Sequence, residues 1–240
     1  MENREGESKT TRVRVLEAAG ELFARKGFRS ATTREIGILA RANVSAVNYY
    51  FGNKERLYSA VIQHILDLAV RGDLTSPTPS ENALPEESLY AFIRSLLFWI
   101  LDDDSRVWHG KMVAREIVEP TTLSDLVIEG VIRPLHERLQ SIVRRLPGGH
   151  ALTDDEATLC TLSIVGQCVF YYSTRQIATK LHQLTFDDAF VESLAHHITQ
   201  FSMAGVKELA KGGLHMPHQR GRRQAQTTGC EIPVNTFPRD

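Results

Sequence analysis

The chain has 240 residues, room for a small domain and a larger one, and its 42% hydrophobic content is ordinary for a globular protein. No apolar run approaches the length of a membrane span, and the polar start MENREGESKTTR lacks the apolar segment of a signal peptide, so membrane insertion and secretion are disfavoured and a cytoplasmic protein is expected. A net charge of -1 conceals a segregation: residues 1–66 carry eleven Lys/Arg against seven Asp/Glu, 67–210 twelve against twenty, and 211–240 five against two. A basic N-terminal part on an acidic body suits a module that meets phosphate. Three cysteines, Cys160, Cys168 and Cys230, form no CxxC pair and no even-numbered framework; buried, inert thiols in a reducing compartment are expected.

Residues 1–10 are expected to be disordered. A helix over about 10–26 sets Val15, Leu16, Ala19, Leu22 and Phe23 on one face and stops at Gly27. Residues 31–58 then read as a short helix, a tight turn, a second short helix, and Phe-Gly-Asn-Lys-Glu opening a third. Thr32 or Thr33 caps the first, with Glu35 close behind, and Ile36, Leu39 and Ala40 form its apolar side. Asn43 caps the second, turning Val44 and Val47 inward and leaving Ser45, Ala46, Asn48 and Tyr49 outward. Small polar residues there let a helix backbone approach the floor of a major groove, although spacing alone leaves plain packing open. The turn between the two short helices carries Arg41 after Ala40, and a positive φ there would cost an arginine what it does not cost a glycine.

A helix over 53–71, with Leu57, Val61, Ile65 and Leu68 in a stripe, leads to DLTSPTPSENALPEES, a proline-rich linker or long loop. Beyond it the pattern is helical throughout: 86–102, then 105–118 ended by Pro120, then 123–146 kinked at Pro134 and stopped by Pro147-Gly148-Gly149, then 154–180 and 187–210. Residues 212–240 are expected to be a disordered tail. No segment alternates with period two, so the fold class is all-α, divided into a disordered start (1–10), a helix-turn-helix domain (11–66), a helical body (67–211) and the tail (212–240).

The run from Arg12 to about Leu66 resembles the DNA-binding domain of the TetR family of bacterial transcriptional regulators. The likeness rests on Leu22-Phe23-Ala24-Arg25-Lys26-Gly27-Phe28, Thr32-Thr33-Arg34-Glu35-Ile36 and Tyr49-Tyr50-Phe51-Gly52-Asn53-Lys54-Glu55-Arg56-Leu57. More loosely, Arg115–Pro120, Val131–Leu135 and Ser163–Tyr171 look like the C-terminal domain of the CecR (YbiH) branch. The resemblance implies a homodimer on double-stranded operator DNA, controlled by a small organic effector. Asn43, Val44, Ser45, Ala46, Asn48 and Tyr49 would lie at the bases, and Thr33, Tyr50 and Lys54 at phosphates. The helix from Asn53 to Arg71 would join reader to body.

Chemistry elsewhere is sparse. There is no phosphate-binding glycine loop, no HExxH and no nucleophile elbow, so no catalytic residues and no cofactor are expected. His196-His197 point apart on a helix and His215/His218 lack a second cluster, so no metal is expected; Asp102-Asp103-Asp104 reads as a solvated junction. Trp108, Met112, Arg115, Glu116, Gln167 and Tyr171 are the candidate effector ligands, with Arg115 orienting an acidic or carbonyl group; a surface ion pair of Arg115 with Glu116 is the alternative. Gly166 and Gly205 interrupt apolar stripes that include Leu162, Phe170, Leu194 and Phe201, either for packing within one chain or for close approach across a two-fold axis. A repressor released by its effector is the expected function. An activator, or a helical enzyme with an ancillary DNA-binding module, is the competing one.

Overall fold

The computed structural model describes residues 2–71, 83–101 and 108–212. Most of the expected linker, the triple-Asp junction, the start expected at Ser105 and the tail from 213 lie outside the described residues. Eleven α-helices account for nearly all of the rest, and no strand occurs among the described residues.

α1 (Glu2–Ser30) is bent at Gly27, which takes φ 80 and ψ 163, and so interrupts the helix at the residue expected to end it. It begins at Glu2, well before the expected position near residue 10. α2 (Thr33–Leu39) and α3 (Val44–Phe51) follow, and α4 (Lys54–Arg71) runs on into the second half of the molecule. Val15, Ala19, Leu22 and Phe23 of α1 pack with Ile36, Val47, Phe51, Leu57, Val61 and Ile65 into a first core.

α5 (Pro85–Leu101), α6 (Trp108–Val118), α8 (Arg133–Arg145), α9 (Asp154–Ser173) and α11 (Asp188–Gly212) surround a second core built on Leu89, Ile93, Leu97, Leu139, Ile164 and Ile198. The cores meet along α6. Trp108, Met112 and Val113 belong to the first, whereas Ala114 belongs to the second. At this seam Gly20 brings α1 close, because a Cβ there would lie 2.5 Å from the Trp108 ring. α4 crosses the seam as well: a Cβ on Gly130 would lie 2.4 Å from Leu66 Cδ2. The expected boundary at residue 66 thus falls inside one continuous helix.

Two expected helices are divided. The 123–146 helix is a short α7 (Ser124–Val127), a π-helical segment (Ile128–Ile132) and then α8, with Pro134 in the first turn of α8. Proline has no N–H for the preceding turn, and a π segment is one way to absorb the mismatch. The 154–180 helix breaks at Thr174, where the Thr174 and Ser173 hydroxyls donate to Phe170 O at 2.7 and 3.1 Å. Such back-bonding competes with the helix ladder, and α10 (Arg175–His182) leaves with no buried residue.

Candidate DNA-reading surface and effector cavity

Local capping builds the reader. Thr32, not Thr33, caps α2: its side chain accepts from Glu35 N at 3.2 Å while Glu35 accepts from Thr32 N at 3.1 Å. Lys26 donates to the same carboxylate at 2.5 Å, and these bonds, led by that of Lys26, hold Glu35 at about 2. The turn is made by Arg41 at φ 51, the left-handed region expected of a glycine. Asn43 caps α3, accepting from Ser45 N at 3.0 Å. Val47 is buried, Val44, Ala46 and Tyr50 are half-buried, and Ser45, Asn48 and Tyr49 are exposed, Tyr49 at 82%. α3 thus shows a polar face carrying one aromatic ring, braced by the Tyr50 ring 5.2 Å away.

Lys54 has intramolecular partners. Its ammonium donates to Ala31 O at 3.1 Å and Arg29 O at 3.4 Å, and it stands 4.6 Å from the centre of the Phe28 ring. It ties α4 to the end of α1 just before the reader, a role that spacing did not reveal. Thr33 is half-buried beside the cap.

Between α5, α6, α8 and α9 lies a cavity of about 360 Å³ walled by Phe92, Leu96, Trp99, Ile100, Leu135, Leu162, Val165 and Val169, with Glu116, Ser124 and His136 as its polar members. Of the six residues expected around an effector, the structure brings Glu116 alone into this wall. Trp108 is buried at the seam, donating to Glu17 Oε2 at 2.8 Å, and Met112 is fully buried in the first core. Arg115 faces α1: it donates to Ala24 O at 3.3 Å and pairs with Glu119 at 2.6 Å, not with Glu116. It lines a more open cleft of about 780 Å³ with Lys26, Phe28, Tyr58 and Thr121. Gln167 donates back to Ser163 O at 3.3 Å, and Tyr171 packs against the second core. One turn of α6 thus presents Arg115 and Glu116 to different neighbours, a distinction that adjacency in sequence conceals.

Glu116 is buried between the two hollows. It accepts from the Tyr58 hydroxyl, from Thr121 N at 3.1 Å and Oγ1 at 2.9 Å, and from Ser124 Oγ at 3.0 Å. Burial and this carboxylate push the Tyr58 phenol well above its usual range. Tyr58, Thr121, Ser124 and His136 had no sequence signal, since their roles exist only once α4 and the α6–α7 loop meet.

Both apolar stripes carry exposed residues. Leu162, Phe170 and Phe201 are exposed at 53%, 58% and 64%, and a Cβ on Gly166 or Gly205 would meet nothing within 4 Å. Leu194 lies on nearly the same side of α11 as Phe201, two turns earlier, but there the second core covers it; buried at 5%, it drops out of the candidate interface. Among the described residues no group of three or more His, Cys, Asp or Glu could hold a metal, and no helix is long and apolar enough to cross a membrane. Cys160 and Cys168 are buried, and burial pushes the Cys168 thiol up to about 12.

A capped helix-turn-helix with an exposed polar second helix, set on a hollow helical body, defines a DNA-binding transcriptional regulator. Comparison with known proteins agrees. Residues 15–61 match the family model of bacterial regulatory proteins of the tetR family, and residues 85–206 match the C-terminal domain of the HTH-type transcriptional dual regulator CecR. The HTH-type transcriptional dual regulator CecR of Shigella flexneri is 32% identical over 77% of this chain and 86% of its own length. The HTH-type transcriptional repressor NicS of Pseudomonas putida is 30% identical over 84% of this chain and 93% of its own. Among solved structures, AibR in complex with isovaleryl coenzyme A and operator DNA aligns with a TM-score of 0.59 at 17% identity, over 80% of this chain and 97% of that one. The chain belongs to the TetR family of bacterial transcriptional regulators, in its CecR-like branch.

Proposed function

We propose that this regulator is a cytoplasmic homodimeric repressor that leaves a palindromic operator when a small organic effector enters the cavity between α5, α6, α8 and α9. The reading is carried by the coexistence of an exposed reading helix with a largely apolar cavity linked to it through α4. Asn43, Val44, Ser45, Ala46, Asn48 and Tyr49 read bases, with Tyr49 reaching farthest. Thr33, Tyr50 and Lys54 set the register at phosphates; Lys54 does so only by exchanging its carbonyl partners for a phosphate oxygen. Leu162, Gly166, Phe170, Phe201 and Gly205 form the dimer face. The protein performs no catalysis of its own. The effector must favour the operator-free arrangement by roughly 10⁴-fold for a near-complete switch.

Selection of bound DNA from a random pool, followed by compound-driven release from the selected site, tests this reading. A two-fold symmetric selected sequence supports it; an asymmetric single site contradicts the dimeric reader. The description of the Shigella relative as a dual regulator favours a second reading, in which the same complex activates at promoters where the operator lies upstream.

A further inference from the structure

Charge distinguishes the cavity. Among the described residues no Lys or Arg lines it; its polar members are Glu116, Ser124 and His136, and the buried one among its titratable members is Glu116, at 3% exposure. The hydrogen-bond partners of Glu116 among the described residues are all neutral: Tyr58, Thr121 and Ser124. The adjacent guanidinium of Arg115 is committed elsewhere, to Ala24 O, Arg25 O and Glu119. His136 stands half-exposed on the opposite wall. The carboxylate therefore has donors enough but, among the described residues, no ion-pair partner, in a wall of low polarity where charges are weakly screened. An anion entering would meet repulsion and no cationic anchor. An ammonium group would supply the missing countercharge and a charge-assisted hydrogen bond.

We propose that the effector is a lipophilic organic cation, its apolar body lying among Phe92, Trp99, Leu135 and Val165 and its ammonium at the Glu116 carboxylate. This rests on the effector reading above and specifies its chemistry. It reverses the expectation that Arg115 would orient an acidic group. It also supplies the link to DNA. Glu116 is the acceptor for the Tyr58 hydroxyl, and Tyr58 packs on Phe23 and Phe28 of α1 at ring-centre distances of 5.0 and 4.9 Å. An ammonium that draws the carboxylate into the cavity weakens the tie between α4 and the α6–α7 loop, and α4 carries the reader.

Three matched probes test the charge preference on the full-length protein, below their micellar concentrations and at neutral pH: octylamine, 1-octanol and octanoate. Binding is followed by calorimetry and by the fluorescence of Trp99 in the wall. Octylamine is expected to bind about tenfold or more tighter than octanoate, with octanol between. Glu116→Gln should bring octylamine and octanol to within about threefold, and Val165→Trp, which fills the cavity, should abolish binding of all three. Octanoate binding as tightly as octylamine overturns the charge inference while leaving the cavity as an effector site. If no probe binds, or Val165→Trp changes nothing, the cavity reading falls and this inference with it. The wild-type comparison decides the preference even where Glu116→Gln fails to fold.

Discussion

Arg41 holds the turn of the reader at φ 51, a conformation in which an L side chain crowds its own backbone at a cost of roughly 1–2 kcal/mol. Arg41→Gly should therefore raise the urea midpoint, by an amount equivalent to a stability gain of up to about 1 kcal/mol once the greater freedom of glycine in the unfolded chain is deducted. A lower midpoint would mean that the arginine side chain contributes more than its backbone costs. Lys54 calls for a test in which folding and binding are separated, because its ammonium already serves Ala31 O and Arg29 O. Lys54→Ala should lose about 1 kcal/mol of stability and, if a phosphate is also contacted, lower the salt slope of operator binding by about one. Asn48 is exposed and its side chain has no hydrogen bond among the described residues, so Asn48→Ala should instead relax preference at particular base pairs without changing that slope. His109 tests the seam. Its Nε2 is buried without a partner among the described residues, it stacks on Trp108 at 3.9 Å, and Glu17 and His64 face it from α1 and α4. Burial lowers it to about 4 from an ordinary 6.5, so the unfolded chain takes up the proton first. The contribution is complete above pH 6.5 and is lost as pH falls toward 4. His109→Gln should flatten that part of a stability–pH curve; an unchanged slope would assign the loss to other groups.

At the scale of elements, α6 is the piece on which the molecule turns. It serves both cores, receives the Trp108–Gly20 contact from α1 and presents Glu116 to Tyr58 of α4. Tyr58→Phe removes one donor from a buried carboxylate and should cost about 1–3 kcal/mol in thermal or urea unfolding. The same change should weaken the effect of cavity ligands on operator affinity, since the tie that they disturb is already gone. If release by a cavity ligand is undiminished in Tyr58→Phe, coupling runs through another contact, and the Leu66–Gly130 approach is the nearest alternative. Much of this layout was legible in the residues. The α2–turn–α3 unit follows from caps at Thr32 and Asn43 and the spacing of Ile36, Ala40 and Val47, because caps and periodicity are local rules; Phe51 and Gly52, read as opening the next helix, instead close α3. The break at Thr174 and the π segment before Pro134 were not legible as such, since each depends on how a turn shares its carbonyls after packing. The effector residues fared worst. A pocket is what tertiary packing leaves unfilled, and neighbours such as Arg115 and Glu116 part company according to which helices surround them.

For the whole molecule the decisive question is what covers α9 and α11. Leu162, Phe170 and Phe201 stand exposed in one copy, and Gly166 and Gly205 leave open space where side chains would be. Ordinary packing within the chain would have filled that space, whereas close approach of a second copy would use it. A single helix-turn-helix reads one half-site, and two copies about 34 Å apart are needed to read successive major grooves. Gly166→Glu and Phe201→Glu should thus give monomers with unchanged helical content, because neither change meets any neighbour in the isolated chain that it must displace. Sedimentation velocity and circular dichroism check the two halves of that statement. Operator affinity should fall by roughly 100-fold or more, as the second half-site loses the effective concentration that the dimer supplies. α10 offers a competing surface through Ile177 and Leu181, exposed at 63% and 70%. Ile177→Glu should leave the dimer intact. If it yields monomers while Gly166→Glu and Phe201→Glu do not, the interface belongs to α10, and the open glycines need another explanation.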